Sequence, residues 1–424
     1  MKVFFDTIGC RLNQAEIERY AAQFTARGHE LVGSADEADL VVVNTCSVTA
    51  AAASDSRGKV RSAAKNGAQV VVTGCWSSME PRIAAAMDGV KLVVPNEEKD
   101  DLTALTLGIA PEEFDIEPLK RVTLPGIHAR TRAFIKVQDG CDNHCTFCVT
   151  HIVRGKARSV DTDRILKDVQ AAINAGGKEI VLTGVNLGAW GLDFEPAQEL
   201  ADLIEFLLKE TDIPRIRLSS LESWNLSDRF LRLWENPRMC PHFHLPLQSG
   251  SPSVLHRMAR RTTPEEFRRL VTAAMQINPD FAITTDVIAG FPGETDEEFA
   301  ETLDFIRSLR FAGGHVFPYS PRPGTAAARM TGQLPKALQK ERAKQLRDEF
   351  ERQAEIFANS FVGTEQQVLW ESSRPLPEGG YETHGLTGNY LTVRKVFPQP
   401  MHNKIETIKL GAPIDGVLTV EDGG

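Results

Sequence analysis

Three apolar runs in the first third of the chain each end in a cysteine: "KVFFDTIGC" at Cys10, "ADLVVVNTC" at Cys46 and "AQVVVTGC" at Cys75. Short, β-branched and aromatic, they read as buried strands. A helix-forming stretch follows each one, and "NQAEIERYAAQFTARG" and "RGKVRSAAKNG" close on Gly28 and Gly67, the expected C-terminal stops. Strands alternating with helices require a parallel sheet, and open parallel sheets gather ligands outside the carboxyl ends of their strands. Strand polarity therefore carries Cys10, Cys46 and Cys75 to one edge, although 36 and 29 positions separate them in sequence. Taken singly, each thiol reads as a buried small hydrophobe. Three strand ends carrying the same scarce residue point instead to a shared metal site, since thiolates suit iron and zinc.

With 424 residues the chain is long enough for two or three domains. The fold class is α/β. Residues 1–118 form a Rossmann- or flavodoxin-like parallel α/β domain, and the Pro-containing stretch "GIAPEEFDIEPLKRVTLPGIHART" reads as a linker. Over 127–357 the strand candidates "RAFIKVQD", "KEIVLTG", "RIRLSS", "HFHLPL", "AITTDVIAG" and "GGHVFPY" alternate with helical patterns such as "DTDRILKDVQAAINAG". Six β-α units predict a partial (β/α)6 barrel with functional residues at its C-terminal strand ends. From about Lys336 a charged run reads as one long helix acting as a spacer, and short strands with turn signals over 360–424 predict a small β-barrel.

No apolar run approaches the roughly 20 residues needed to span a bilayer, and the start, "MKVFFDTIGCRLN", carries no export signal, so the expectation is a cytoplasmic protein without a membrane partner. The seven cysteines are then thiols rather than disulfides. A net charge of −9 does not advertise nucleic acid. Local charge does: residues 121–160 hold Arg121, Arg130, Arg132, Lys136, Arg154, Lys156 and Arg158 against Asp139 and Asp142. A solvated face is the ordinary reading of such a cluster, but this one surrounds a second cysteine array.

That array, "QDGCDNHCTFCVTHIVRG", sets Cys141, Cys145 and Cys148 in C-x3-C-x2-C spacing just after the first barrel strand. A structural zinc site takes four protein ligands, and His144 or His151 could complete one. Alternatively, three thiolates on a 4Fe-4S cluster leave one iron open to a substrate or cofactor.

With Phe147 before its third cysteine, "CDNHCTFC" resembles the signature of radical S-adenosylmethionine enzymes. The resemblance extends along the chain. The three N-terminal cysteines, "RGKARS", "LTGVNLG", "HLPLQSGS", "AGFPGET", "PYSPRPGTAA" and the terminal barrel together resemble the methylthiotransferases, whose small C-terminal module is called TRAM. The resemblance implies a radical SAM barrel and two 4Fe-4S clusters, one on Cys141, Cys145 and Cys148 and one on Cys10, Cys46 and Cys75. It implies S-adenosyl-L-methionine as cofactor, cleaved to a radical that abstracts a substrate hydrogen, so that C–H becomes C–SCH3. Phe147, Thr183, Gly184, Asn186, Gln248 and Gly290 would border that cofactor, although Gly184 and Gly290 read equally as turn glycines. Cys240 is left as a structural residue.

Within the family the targets are two modified adenosines of tRNA and an aspartate of a ribosomal protein. "TIGCRLNQAEIE" is similar to the start of the threonylcarbamoyladenosine group, while "VTHIVRG" departs from the more usual "IIPYARG". The implied partners are a tRNA anticodon loop and an electron donor such as flavodoxin or ferredoxin. Arg154, Lys156 and Arg158 would be phosphate contacts, and Tyr390 is expected in the core of the terminal barrel. A noncatalytic metal-cluster RNA-binding protein is the reading of another class.

Overall fold

The computed structural model describes residues 1–65, 67–114, 121, 122, 124 and 131–421. Its first sheet holds β1 (Lys2–Thr7), β2 (Glu30–Leu31), β3 (Leu40–Thr45), β4 (Gln69–Gly74) and β5 (Val90–Val94). All pairs are parallel and the order is β2-β1-β3-β4-β5, the flavodoxin-like arrangement. Every residue of β3, "LVVVNT", is buried, because helices cover both faces. On one face Val3, Phe5, Val42 and Val71 pack on Ile17, Tyr20 and Phe24 of α1 (Arg11–Ala26). On the other, Phe4, Val41, Val43, Val70 and Val72 meet Ala53, Val60 and Ala63 of α2 (Ala50–Ala64). A third helix, α3 (Cys75–Met79), leaves β4 at once.

The linker expected next lies mostly on residues 115–120 and 125–130, outside the described residues, as does Arg130. The central unit begins with β6 (Ala133–Lys136), then β7 (Gln138–Asp139) and β8 (Arg158–Ser159), an antiparallel pair that closes the loop bearing Cys141, Cys145 and Cys148. It continues with β9 (Glu179–Thr183), β10 (Arg215–Leu218), β11 (His242–His244), β12 (Ala282–Ala289) and β13 (Gly313–Pro318). The six expected strands appear as two parallel three-stranded sheets, β10-β9-β6 and β11-β12-β13. Among the described residues, only the bridges Ile216–Met239 and Ser220–His244 join them, so the open barrel has a seam between β10 and β11. The helix Thr162–Asn174 shows how the sequence wraps this barrel. Ile165, Val169 and Ala172 form one apolar stripe on the core, and Asp161 caps the start by accepting from the Asp163 amide.

The long helix Lys336–Asn359 is no spacer. Ala343, Leu346 and Phe350 pack into the barrel core, Arg342 pairs with Glu294 at 2.6 Å, and Gln353 donates to the Ile306 carbonyl at 2.9 Å. Its charged outer face hid an inner stripe. Phe357 and Phe361 then enter the core of a closed barrel of β14 (Glu365–Pro375), β15 (Tyr381–Thr387), β16 (Thr392–Phe397), β17 (Ile405–Ile414) and β18 (Val417–Val420). Trp370, Val393, Leu410 and Leu418 fill it. Among the described residues no helix is long and apolar enough to cross a membrane.

Candidate active site and its two cysteine arrays

Cys10 stands at the N-cap of α1, Cys46 follows β3, and Cys75 opens α3, so the three thiols sit at the carboxyl ends of the adjacent strands β1, β3 and β4. Two glycines bring them this close. At Gly9, φ is +105° and a Cβ would lie 2.6 Å from Cys46 Sγ; at Gly74, φ is +98° and a Cβ would run into the Thr45 backbone. Only glycine tolerates both the backbone and the approach. All seven cysteines are free thiols. Burial pushes the Cys46 thiol up to about 11, and the neighbouring Cys10 and Cys75 thiols raise it further. The same holds in the second array, where burial pushes Cys141 up to about 11 and raises Cys145. Among the described residues, no three Cys, His, Asp or Glu side chains stand close enough to share a single metal ion.

The three N-terminal thiols line a cavity of about 500 Å³, whose opposite wall comes from the barrel strand ends. Thr183 and Gly184 lie there, with Ser219, His244, Asp286 and His315. His244 is held by Asp286 at 3.3 Å and Thr284 at 3.0 Å. The histidines and Asp286 escaped sequence reading: His244 closes β11 and obeys the strand-end rule applied to the cysteines, whereas Asp286 and His315 are paired inside β12 and β13. A second cavity of about 160 Å³ adjoins, lined by Phe147 and Gln248 and sharing Asp286 and Phe317 with the first.

Cys141, Cys145 and Cys148 occupy the loop beside these cavities, each partly exposed. The loop is pinned at several points. Cys141 donates its amide to the Gly155 carbonyl, Thr146 donates to the Met258 carbonyl, and the amides of Asn143 and Thr150 point at Cys141 Sγ and Cys148 Sγ, both at 3.4 Å. Arg260, paired with Glu222 at 2.6 Å, reaches within 3.9 Å of Cys145 Sγ. Phe147 meets Phe291 edge-on at 6.5 Å.

Of the other expected residues, Asn186 is buried, its amide donating to Gln138 Oε1 at 2.9 Å while its own Oδ1 has no donor. Gly184 packs on Gln138, where a Cβ would come within 3.0 Å. Gln248 adopts φ +70°, a costly conformation for a side-chain-bearing residue and a frequent mark of functional positions. Gly290 turns instead toward the long helix: its amide donates to Glu294 at 3.0 Å, and a Cβ would meet Gln339 at 2.6 Å.

Arg154 corrects the reading of the basic cluster. Rather than facing phosphate, it is 2% exposed and its guanidinium is spent inside the protein. It contacts Glu16 at 3.1 Å, Asp139 at 3.0 Å, Asn13 at 2.6 Å and Cys75 Sγ at 3.3 Å. Lys99 joins the same carboxylates, and Lys136 lies 3.0 Å from Asp139. Burial alone would raise Glu16, but Lys99, Arg154 and Lys136 hold it down to about 2; Lys136, Arg154 and Lys99 likewise keep Asp139 well below its ordinary value. The one-turn helix Thr150–Arg154 thus links the arrays, since His151 Nδ1 lies 2.9 Å from the Cys141 carbonyl and Arg154 reaches Cys75. Lys156 and Arg158 remain exposed. Tyr390 is another correction: it leaves the terminal barrel's core and wedges between units, stacked on His242 at 4.7 Å, with Arg11 donating to its hydroxyl at 3.0 Å. Cys240 is buried beside Glu179, in keeping with a structural role.

Two family models match the chain, the "Radical SAM superfamily" over residues 135–306 and the "Uncharacterized protein family UPF0004" over residues 2–95. The "Threonylcarbamoyladenosine tRNA methylthiotransferase MtaB" of Bacillus subtilis is 34% identical, over 96% of this chain and 93% of the relative. This chain belongs to the tRNA methylthiotransferase family. It is therefore a radical SAM enzyme that transfers a sulfur-containing group. Another relative in the family, the "tRNA-2-methylthio-N(6)-dimethylallyladenosine synthase" of Bacillus velezensis, is 32% identical over 99% of this chain and 86% of the relative. In fold, the methylthiotransferase chain is similar to the radical S-adenosylmethionine methyltransferase TsrM from Kitasatospora setae. That match has a TM-score of 0.57 and 14% identity, covering 77% of each chain.

Proposed function

We propose that this methylthiotransferase acts on N6-threonylcarbamoyladenosine in a tRNA anticodon loop, adding the 2-methylthio group. The observation that carries the reading is the cavity of about 500 Å³, which sets Cys10, Cys46 and Cys75 opposite Thr183 and Gly184. An adenine placed there has one thiol trio on one side and the barrel strand ends on the other. The donor set fits the two 4Fe-4S clusters of such an enzyme: six free thiols in two trios, neither crowded to the spacing of a single ion. Cys10, Cys46 and Cys75 would hold one and Cys141, Cys145 and Cys148 the other, with S-adenosyl-L-methionine bordered by Phe147, Asn186 and Gln248. Bound there, these groups supply the reductive radical chemistry that replaces C–H by C–SCH3.

The chain's own residues position and shield. Arg154 holds Cys75 through an N–H directed at its sulfur, the kind of outer partner that orients a ligand. Asn186 Oδ1, buried without a donor, suits an ammonium group. Ser219, His244, Asp286 and His315 give the cavity hydrogen-bonding groups matched to a threonylcarbamoyl substituent, with its carboxylate and hydroxyl. A dimethylallyl group would leave the buried Ser219 Oγ, which has no partner within the protein, unpaired, at a cost of roughly 1–3 kcal/mol. Lys156 and Arg158, both exposed, would contact the RNA backbone, and a flavodoxin or ferredoxin would deliver electrons.

Mass spectrometry of tRNA nucleosides, comparing a strain that lacks this chain with its complemented parent, tests the assignment. The expected result is loss of 2-methylthio-N6-threonylcarbamoyladenosine alone. Loss of the 2-methylthio dimethylallyl nucleoside instead would overturn it.

A further inference from the structure

A groove of about 470 Å³ lies between β13 and the long helix Lys336–Asn359. β13 ends the sheet β11-β12-β13, so no further strand covers its outer edge among the described residues. The helix comes close at Gly314, which has no side chain to hold it off: a Cβ there would meet the Phe350 ring at 2.7 Å. His315 and Phe317 follow, both exposed, and two positions apart they share one face of the strand. Arg347 and Glu351 of the helix stand across the groove from them.

His315 and Phe317 also line the cavity that holds Cys10, Cys46 and Cys75, and Phe317 borders the smaller cavity of Phe147 and Gln248 as well. One ring is thus a wall common to three spaces, and the groove continues the active site along β13. Single exposed hydrophobics are ordinary on a protein surface. Phe317 differs in its position and in its lack of company. It is 38% exposed, while the nearby rings pair among themselves, Phe291 with Phe147 at 6.5 Å and with Tyr319 at 5.4 Å. Arg347 is exposed too, and its bond goes to the neutral Val316 carbonyl at 3.2 Å; among the described residues no carboxylate stands within ion-pair distance of it.

We propose that this groove holds the nucleotide next to the target adenosine, with its base stacked on Phe317 and its phosphate facing Arg347. The inference rests on the tRNA reading above, and not on which modified adenosine is served. Adjoining nucleotides are covalently joined, so an adenosine seated among the thiols leaves its neighbour on the wall that continues outward, which is β13. The volume lies in the range of small-ligand sites. An aromatic ring beside an arginine is the pairing that holds splayed single-stranded RNA, the ring taking the base face and the guanidinium the backbone. Stacking tolerates any base, so the groove positions the loop without reading its sequence.

The test titrates the cluster-reconstituted full chain into two anticodon stem-loop RNAs, one with 2-aminopurine on the 5′ side of the target adenosine and one with it on the 3′ side. Stacking on a ring quenches this base. At saturation one of the two RNAs should emit less with the parent than with Phe317→Leu, which is apolar and similar in size, and Phe317→Tyr should match the parent. Phe317→Leu should also weaken binding about fivefold or more with an unchanged salt slope, whereas Arg347→Ala should lower that slope by about one and keep the quench. A merely structural Phe317 would show its loss in the urea midpoint and not in the bound-state emission. Equal emission from parent and Phe317→Leu with both RNAs, as a groove reserved for a protein partner would give, overturns the proposal, and so does a parental salt slope in Arg347→Ala. The adenosine assignment is read from cellular nucleosides and fails independently of this titration.

Discussion

Replacing Arg154 by methionine separates the two roles that this residue has been given. In the structure the guanidinium stands 3.1 Å from Glu16 and 3.0 Å from Asp139, all three groups at most 3% exposed. Removing one partner from a buried ion pair costs about 3–5 kcal/mol, because the remaining charge is stranded. Here the carboxylates keep company, with Lys99 2.6 Å from Glu16 and Lys136 3.0 Å from Asp139. The loss therefore falls near the lower end, at about 3 kcal/mol. With a urea dependence of about 1–3 kcal/mol per molar, the midpoint of the transition containing the N-terminal sheet drops by about 1 M or more. Iron retained after anaerobic reconstitution should fall too, since Cys75 loses the N–H at 3.3 Å. Arg154→Lys restores charge without the fork and recovers only part of both. The RNA assay gives the contrary signal: a phosphate contact would lower the salt slope of tRNA binding by about one, whereas an interior residue leaves it alone. An unchanged urea midpoint together with that fall in slope would refute the buried-hub reasoning.

Two more outcomes are expected. Glu16 is held down to about 2 against an ordinary 4.5, so its contribution is complete above the ordinary value and disappears as pH falls toward about 2; at about 1.4 kcal/mol per unit it amounts to about 3 kcal/mol. Urea midpoints of the metal-free chain should therefore decline across that acid window, and Glu16→Gln should flatten the decline; a parental slope in the variant would count against this account. Lys156→Ala and Arg158→Ala, at exposed positions, should each reduce the salt slope of tRNA binding by about one with unchanged urea midpoints, and slopes equal to the parent's would remove both from the RNA surface.

What could be read from sequence was whatever obeys a local period or a strand polarity. Val-rich runs ending at Cys46 and Cys75 read as strands of a parallel sheet and carried the thiols to one edge of it. The six barrel strands emerged for the same reason. Arg154 was misjudged because counting charge along residues 121–160 cannot see Glu16 on α1 or Lys99 arriving from distant sequence. Tyr390 was misjudged likewise, since Arg11 lies 379 positions away. The positive φ of Gln248 has no sequence signature, because Gln is not a residue chosen for that conformation. The long helix misled in another way: buried Gln339, Arg342, Glu349 and Gln353 interrupt an inner stripe that hydrophobicity alone would have revealed.

The reach of Arg154 and Tyr390 back to the N-terminal thiol edge also sets an order of events during synthesis. The first sheet has all its strands once Val94 is made, but Arg154 lies about 60 residues further on and Tyr390 about 300, or roughly 3–12 and 15–60 seconds at typical elongation rates of about 5–20 residues per second. Through that interval Cys10, Cys46 and Cys75 belong to a sheet whose open edge faces the solvent, without the barrel wall that later encloses them. Metal delivered to the nascent chain meets all three thiols from the open side, whereas in the finished protein Cys10 alone of the three stays exposed and Cys46 and Cys75 are reached through the cavity.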